Sequence, residues 1–362
     1  MNGNAGSKSP DGKDKSLDTS SQILSALEVI HNPRSPNEVR QTASHYLEEV
    51  KSDDQAPYHG FTLASTKSQP AIVRHYGLSL LEHAIRHRWT DYTLEQSTVL
   101  RNWVLDLAQE VDDEDLLYIR NKIAAIWVEI AKRSWALDWM DMDERLVRLW
   151  GGPVAQKVLV LTVLESLSED IFGHEDLTAG LRGTDLNRAC VEIFTPSSVL
   201  AEHFPTRETS VNVRYGEEGW LSRIGNLIEW CSSENSMEAF RQICAVKALC
   251  TLKSIIGWVI PRALVTTRCV QRVCGCLAAS KLPIQLVSMS PGPQGGSSTP
   301  LTQRLRLQWM RFIRFTTARG FPKMTSKIWC VQCISRTLLA CLKGCMNGPL
   351  WMLQISMRRN TF

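Results

Sequence analysis

Between Asp113 and Trp139 the chain reads DEDLLYIRNKIAAIWVEIAKRSWALDW, with Leu116, Ile119, Ile123, Ile126, Trp127, Ile130 and Ala131 three or four residues apart. That spacing predicts an amphipathic α-helix of about six turns with a single apolar stripe to bury. Asp113, Glu114 and Asp115 stand where the positive end of the helix dipole favours them, and Lys132 and Arg133 stand at the other end. Two tryptophans, Trp135 and Trp139, follow at once. Such a helix cannot cover its stripe alone, so its neighbours decide the fold.

Those neighbours are of the same type. Ser21–His31 carries Ile23, Leu24, Leu27 and Ile30 on one face, and Asn32-Pro33 breaks it. Ser35-Pro36 restarts a helix, in the order of an N-cap followed by a first-turn proline, through Val39, Ala43, Tyr46, Leu47 and Val50. A shorter helix is expected over Asp54–Ser65. Pro70 opens another with Val73, Gly77, Leu80, Leu81 and Ala84 inward. Asp91 or Thr93 begins the next, through Val99, Leu100, Trp103, Val104 and Leu107. After the Asp113 helix come Asp138–Trp150 and an apolar helix opened by Pro153 through Val158, Leu161, Leu164 and Leu167.

The second helices of successive pairs start near residues 36, 70, 113 and 153, or 34, 43 and 40 residues apart. The last two intervals fall in the period of roughly 40–47 residues expected of two-helix solenoid repeats. One pair cannot bury its own apolar face, and stacked pairs bury each other's. The expected fold is all-α: about six HEAT-like antiparallel helix pairs in an α-solenoid, with no strand-like alternation. Further helices are expected over Thr184–Phe204 with a break at Pro196, Glu217–Cys231, Ser236–Ile260 and Ala263–Ser280. Gly173–Gly183 and Pro205–Tyr215 are expected as loops. Residues 1–20 read as a disordered tail by composition.

The charges are segregated along the chain. Residues 1–238 hold all 37 Asp and Glu against 23 Lys and Arg, whereas residues 239–362 hold 18 Lys and Arg and no acid. Nine of the eleven cysteines also follow residue 238. From Ser288 a Pro, Gly and Ser stretch, MSPGPQGGSSTPLTQ, leads into a basic, cysteine- and tryptophan-bearing segment over 288–362. That segment has three readings. It is a stretch not evolved with the domain, from a shifted reading frame or a retained intron; or a plain disordered tail; or an arm that binds nucleic acid or holds zinc through Cys330, Cys333, Cys341 and Cys345. The N-terminus lacks an apolar signal core, no uncharged apolar run reaches about eighteen residues, and the cysteine number is odd. A soluble intracellular protein without membrane insertion is expected.

Enzyme signatures do not occur: no phosphate loop, no G-x-S-x-G, no HExxH. No catalytic, cofactor or metal site is therefore expected. His83 and His87 have a metal-capable spacing but no clear third ligand, and they read as solvated polar-face residues. Cys269, Cys274 and Cys276 read as small buried hydrophobes on a helix. The tryptophans read mainly as packing between repeats. A solenoid offers a long wall of helix faces, and the acidic balance of residues 1–238 suits a partner with a basic surface.

Arg40-x2-Ala43-x3-Leu47, then Val73-Arg74-x2-Gly77-Leu78-x-Leu80-Leu81 and Trp89, resemble the N-terminal domain of the importin-β (karyopherin) family. Arg120-Asn121-Lys122 through Ala131-Lys132-Arg133-x-Trp135-x3-Trp139, and the stretch Val158–Asp170, resemble the exportin continuation, most like exportin-5-type receptors, over about residues 21–287. Ala136 departs from the proline that exportins usually carry after the tryptophan, which implies a looser turn. The resemblance implies a nuclear transport receptor shuttling between nucleus and cytoplasm. Its first repeats, over 21–112, would bind the GTP-bound GTPase Ran through inner helices starting near Pro36, Pro70 and Asp113, followed by exportin-type repeats over 113–287. The implied contact residues are Glu48, Arg74, His75, Arg120 and Lys122. It further implies protein cargo or structured RNA, and nuclear pore proteins, as partners. Family members run to some twenty repeats, so a truncated cargo cradle is expected. A helical scaffold unrelated to transport remains the alternative.

Overall fold

Periodicity of three and four becomes a two-layer stack. The computed structural model describes residues 11–173, 176–205, 212–232 and 239–273, and these fall into two compact units. The first comprises residues up to Cys190 together with Ser210–Tyr215. In it, α1 (Asp11–His31) packs on α2 (Asn37–Val50), α3 (Ala56–Ser65) on α4 (Ala71–Arg88), α5 (Leu94–Gln109) on α6 (Leu117–Ser134), and α7 (Met142–Trp150) on α8 (Val154–Phe172). The first members α1, α3, α5 and α7 touch in succession and form layer A. In layer B, α4 touches α6 and α6 touches α8, while the Tyr76 hydroxyl of α4 donates to the Leu47 carbonyl of α2 at 2.7 Å. Among the described residues there is no strand; Trp135 and Trp139 form a lone β-bridge. The expected HEAT-like pairs are what the chain folds into, and α5 and α6 pack as one pair across residue 112.

Several starts differ from expectation. Residues 11–20, read from composition as a tail, extend α1; residues 1–10 lie outside the described residues. Pro36, Pro70 and Pro153 sit at the N-cap rather than inside the first turn. Each has a helical φ but an extended ψ, so the ring fixes where the helix begins without belonging to it. Of the two candidate starts for α5, Thr93 is used, because it forms a capping box with Gln96. Val99 of α5 is exposed while Leu100, Val104 and Leu107 are buried. The expected loop after α8 contains one helical turn, α9 (Leu177–Leu181), capped by the Asp176 carboxylate on the Ala179 amide.

The core follows the stripes. Ile23, Leu27, Leu47, Val50, Leu63, Val73 and Leu80 form one cluster across α1–α4. In α6, Ile119, Ile123, Ile126, Trp127, Ile130 and Ala131 are buried as expected, but Leu116 is exposed because the helix starts one residue after it. Trp127, Trp135 and Trp139 are wholly buried, with the Trp127 and Trp139 rings 5.4 Å apart. The connection after α6 is not loose. Ala136 takes a left-handed φ of 60°, and the Ser134 carbonyl accepts from the amides of Leu137, Asp138 and Trp139. A proline ring fixes φ near −65°, so this turn excludes the residue that the resemblance leads one to expect.

The second unit holds the end of α10 (Gly183–Phe194), α11 (Ser197–His203), α12 (Gly219–Ser232), α13 (Ala239–Ile255) and α14 (Pro261–Thr266). The α12–α13 pair buries Trp220, Ile224, Ile228, Cys244 and Leu252. Gly219, at φ 69°, lies so close to the Phe194 and Thr195 backbone that a Cβ would meet it at 2.8 Å. Cys269 is buried as expected, and burial pushes its thiol up to about 12, which leaves it inert. Cys274, Cys276 and the basic segment 288–362 lie outside the described residues.

Candidate partner-binding face

Three layer B helices, α2, α4 and α6, leave large apolar side chains uncovered at their starts, as α3 and α5 of layer A do at Tyr58 and Leu94. Val39 of α2, Ile72 of α4, and Leu117 and Tyr118 of α6 are exposed, each within three residues of its helix start. Single exposed hydrophobes are ordinary, but a recurrence at the same helix position marks one edge of the layer. His75 and Tyr118 join two of these helices edge to face, with ring centroids 5.4 Å apart. Burial, and after it the Lys122 ammonium, hold the His75 imidazole below its ordinary range. It therefore presents a neutral ring at neutral pH.

The five residues implied by the resemblance have different surroundings. Glu48 is exposed on α2 and pairs with Lys51 at 2.6 Å. Lys122 of α6 pairs with Glu82 of α4, half-buried. Arg120 is half-buried, and its buried Nε has no hydrogen-bond partner. Arg74 is only 8% exposed. Its Nη1 donates to Asp115 at 2.5 Å and its Nε to the Ala64 carbonyl at 3.0 Å, so it is committed to the interior. His75 thus lies near Tyr118 and Lys122, Arg120 sits in the first turn of α6, Glu48 lies on the neighbouring α2, and Arg74 fastens repeats.

The charges bracketing α6 also have different tasks from those expected. Asp115 is not a solvated dipole partner. It is 5% exposed and accepts from Arg74 and from Lys67, the latter at 2.8 Å. Lys132 is 1% exposed and donates to Glu129 at 2.9 Å, Asp170 at 2.8 Å and Asp176 at 2.7 Å. It ties α6 to α8 and to the start of α9. Arg86 and Arg133 also pair with Glu129, at 3.0 and 2.6 Å. Arg182 donates to the Lys132 and Trp135 carbonyls at 3.1 and 2.6 Å, capping the end of α6 from the next repeat. Carboxylate oxygens of Glu129, Asp170 and Asp176 lie within 4.8 Å of one another, a grouping with metal-ligand chemistry. The Lys132 ammonium bonds all three, so this grouping already holds its cation. Nothing in the sequence marked Lys132 as buried; its position in a helix-end basic pair suggests solvent.

His83 and His87 lie 4.7 Å apart by ring centroid on α4. His87 is exposed, whereas His83 is half-buried and burial, then His87, depresses its basicity.

These environments set a pH dependence. Burial raises the carboxyls of Asp115, Glu129 and Asp176, but bonds from Lys67 and Arg74, from Lys132 and Arg133, and from Lys132 and the Ala179 amide outweigh it and hold all three low. Groups with a depressed folded pKa stabilise above their unfolded value and lose that contribution as pH falls through the folded one. His59, His75 and His83 are depressed too, chiefly by burial. Lys67 and Lys132 are raised, because their carboxylate partners outweigh burial, and contribute until pH rises through their folded values. Thermal unfolding should therefore lose stability on the acid side in two stages, below about pH 6.5 from the histidines and below about pH 4 from the carboxylates. A melting temperature that stays level through both ranges would contradict these assignments.

Comparison with known proteins places residues 117–189, which run from α6 into α10, in the family described as exportin 1-like protein. Protein MSN5 of Saccharomyces cerevisiae is 32% identical over 275 residues, covering 72% of this chain and 22% of that protein. Exportin-5 of Mus musculus is 28% identical over 276 residues, 73% of this chain and 21% of that protein. Protein HASTY 1 of Arabidopsis thaliana is 26% identical over 166 residues, 45% of this chain and 14% of that protein. The chain spans about a fifth of the length of the first two of these relatives.

Proposed function

We propose, from the premise that this chain belongs with the exportin-5-like karyopherins, that it holds the GTP-bound form of Ran on the exposed edge of layer B. Members of that family are transport receptors rather than enzymes. The observation that carries the proposal is the recurrence of uncovered apolar residues at the starts of α2, α4 and α6, beside His75, Arg120 and Lys122. These are the helices on which the family resemblance puts the GTPase. Apolar anchors ringed by charged side chains are what a protein interface needs, since the anchors supply affinity and the charges supply selectivity. Glu48 on α2 extends the charged rim.

A second surface supports contact with nuclear pore proteins. On layer A, Tyr58 and Phe61 of α3 gather around Trp103 of α5, with the Phe61 and Trp103 rings stacked at 5.0 Å and Tyr58 exposed. A half-buried aromatic cluster with one exposed ring is suited to apolar side chains of a mobile peptide. Protein cargo or structured RNA would be carried between nucleus and cytoplasm.

Pull-down with Ran loaded with GTP or GDP tests the central claim. The GTP form should be retained preferentially, and Tyr118→Ala should reduce that retention by about tenfold, as loss of an aromatic anchor does. Equal capture of both forms, or of neither, would favour the other reading, a helical scaffold with no nucleotide dependence.

A further inference from the structure

Beside the Lys132 grouping the first unit carries an open-sided cavity of about 420 Å³, between the end of α8, the single turn of α9 and the start of α10. Asp170, Asp176, Leu181, Arg182, Asp185 and Asn187 contribute to its wall. The cations nearby are already engaged. Arg182 is spent on two backbone carbonyls at the end of α6, and Lys132 on its three carboxylates. Acceptors are left over. Among the described residues the Asp185 carboxylate has no hydrogen bond or ion pair and acts on Arg182 only through space, Asp170 uses one oxygen on Lys132, and the buried Asn187 Oδ1 has no partner. Leu181 is part of the wall, and Leu177 stands four residues before it on α9, each 88% exposed. Two leucines left almost wholly in water on a five-residue helix are an uncovered apolar rim.

We propose that this cavity receives a lysine or arginine side chain from a partner segment, with an adjacent apolar residue lying on Leu177 and Leu181. The wall offers spare oxygen acceptors and a negative balance, which a guanidinium or ammonium donor satisfies and an anion does not. The rim then gives the flanking residue an apolar surface to cover. This inference stands on the cavity and does not rest on Ran binding.

Fluorescence polarisation with the full chain tests it, using a labelled peptide Gly-Ser-Leu-Lys-Arg-Leu-Ser-Gly and a counterpart carrying glutamine at both basic positions. The basic peptide should bind about tenfold or more tightly than the neutral one. Asp185→Asn combined with Leu181→Ser should weaken the basic peptide by a similar factor while leaving the melting temperature unchanged, because both side chains are exposed. Equal affinity for the two peptides, or an affinity indifferent to the double substitution, overturns the proposal. So does tighter binding of a version with glutamate at the basic positions.

Discussion

Replacing Lys132 with methionine is expected to destabilise the first unit by about 3 kcal/mol at neutral pH, although the hydrophobic stem is kept. The ammonium bonds Glu129, Asp170 and Asp176 together, and its removal leaves three carboxylates crowded without their shared cation. The low end of the range for breaking a buried pair applies here, because the Asp170 and Asp176 side chains keep 33% and 27% exposure and water partly compensates them. The loss should shrink as pH falls, because protonation removes the ion pairs of the parent and relieves the crowded carboxylates of the variant. Denaturant unfolding at neutral and acid pH checks both. A loss under about 1 kcal/mol, or one independent of pH, would show that the three ion pairs contribute no more than surface contacts do.

Gly77→Ala should also destabilise the first unit, somewhat less and for a steric reason. Gly77 on α4 and Gly60 on α3 face each other where the helices cross. A Cβ on Gly77 would lie 2.6 Å from the Gly60 carbonyl oxygen and 2.8 Å from the Ala64 amide nitrogen. Both obstacles are backbone, so no side chain can swing aside and the helices must separate. Alanine gains about 1 kcal/mol in helix propensity, and overpacking at a closed interface costs 1–3 kcal/mol or more. A net loss of about 2 kcal/mol is expected once the two are combined. Gly60→Ala acts on the same crossing, where its Cβ would meet the Gly77 carbonyl oxygen at 2.7 Å. The double substitution should therefore cost less than the two single losses added, because the helices need part only once. Additive losses in a double-mutant cycle would place the two glycines in independent roles.

The helix pairing was legible because its signal is local. A stripe of three-and-four spacing reports burial from within one helix, and a proline at the start adds its direction, as α2, α4 and α8 illustrate. What a charged residue does was not legible. Asp115 and Lys132 look in sequence like solvated helix ends, since Arg74 lies 41 residues from the first and Asp170 38 from the second, outside any short window. Gly77 gave a partial signal, being read correctly as inward, but the reason only appears when Gly60 is set against it. The motif residues Arg74, Gly77, Lys132, Trp135 and Trp139 prove to be fasteners and close-approach points between helices. The proposed partner edge carries weaker sequence marks, because exposed residues such as Ile72 and Tyr118 obey no burial rule that a pattern could detect. The left-handed Ala136 turn was unreadable for another cause: alanine has no preference for that conformation, and only the buried tryptophans on both sides impose it.

The ion pairs that join successive layer B helices reach a uniform distance along the chain. Asp115 lies 41 residues from Arg74, Lys122 lies 40 from Glu82, and Lys132 lies 38 and 44 from Asp170 and Asp176. Each fastener thus becomes available as soon as the next repeat has been synthesised, and none of these waits for a distant part of the chain. At translation rates of about 5–20 residues per second, the interval between one closure and the next is a few seconds, far longer than helix formation. A nascent chain can therefore lock its repeats in order as they emerge. The buried carboxylate of Asp115 would meet its cations early, and Asp170 and Asp176 would reach Lys132 only when α8 and α9 have left the ribosome.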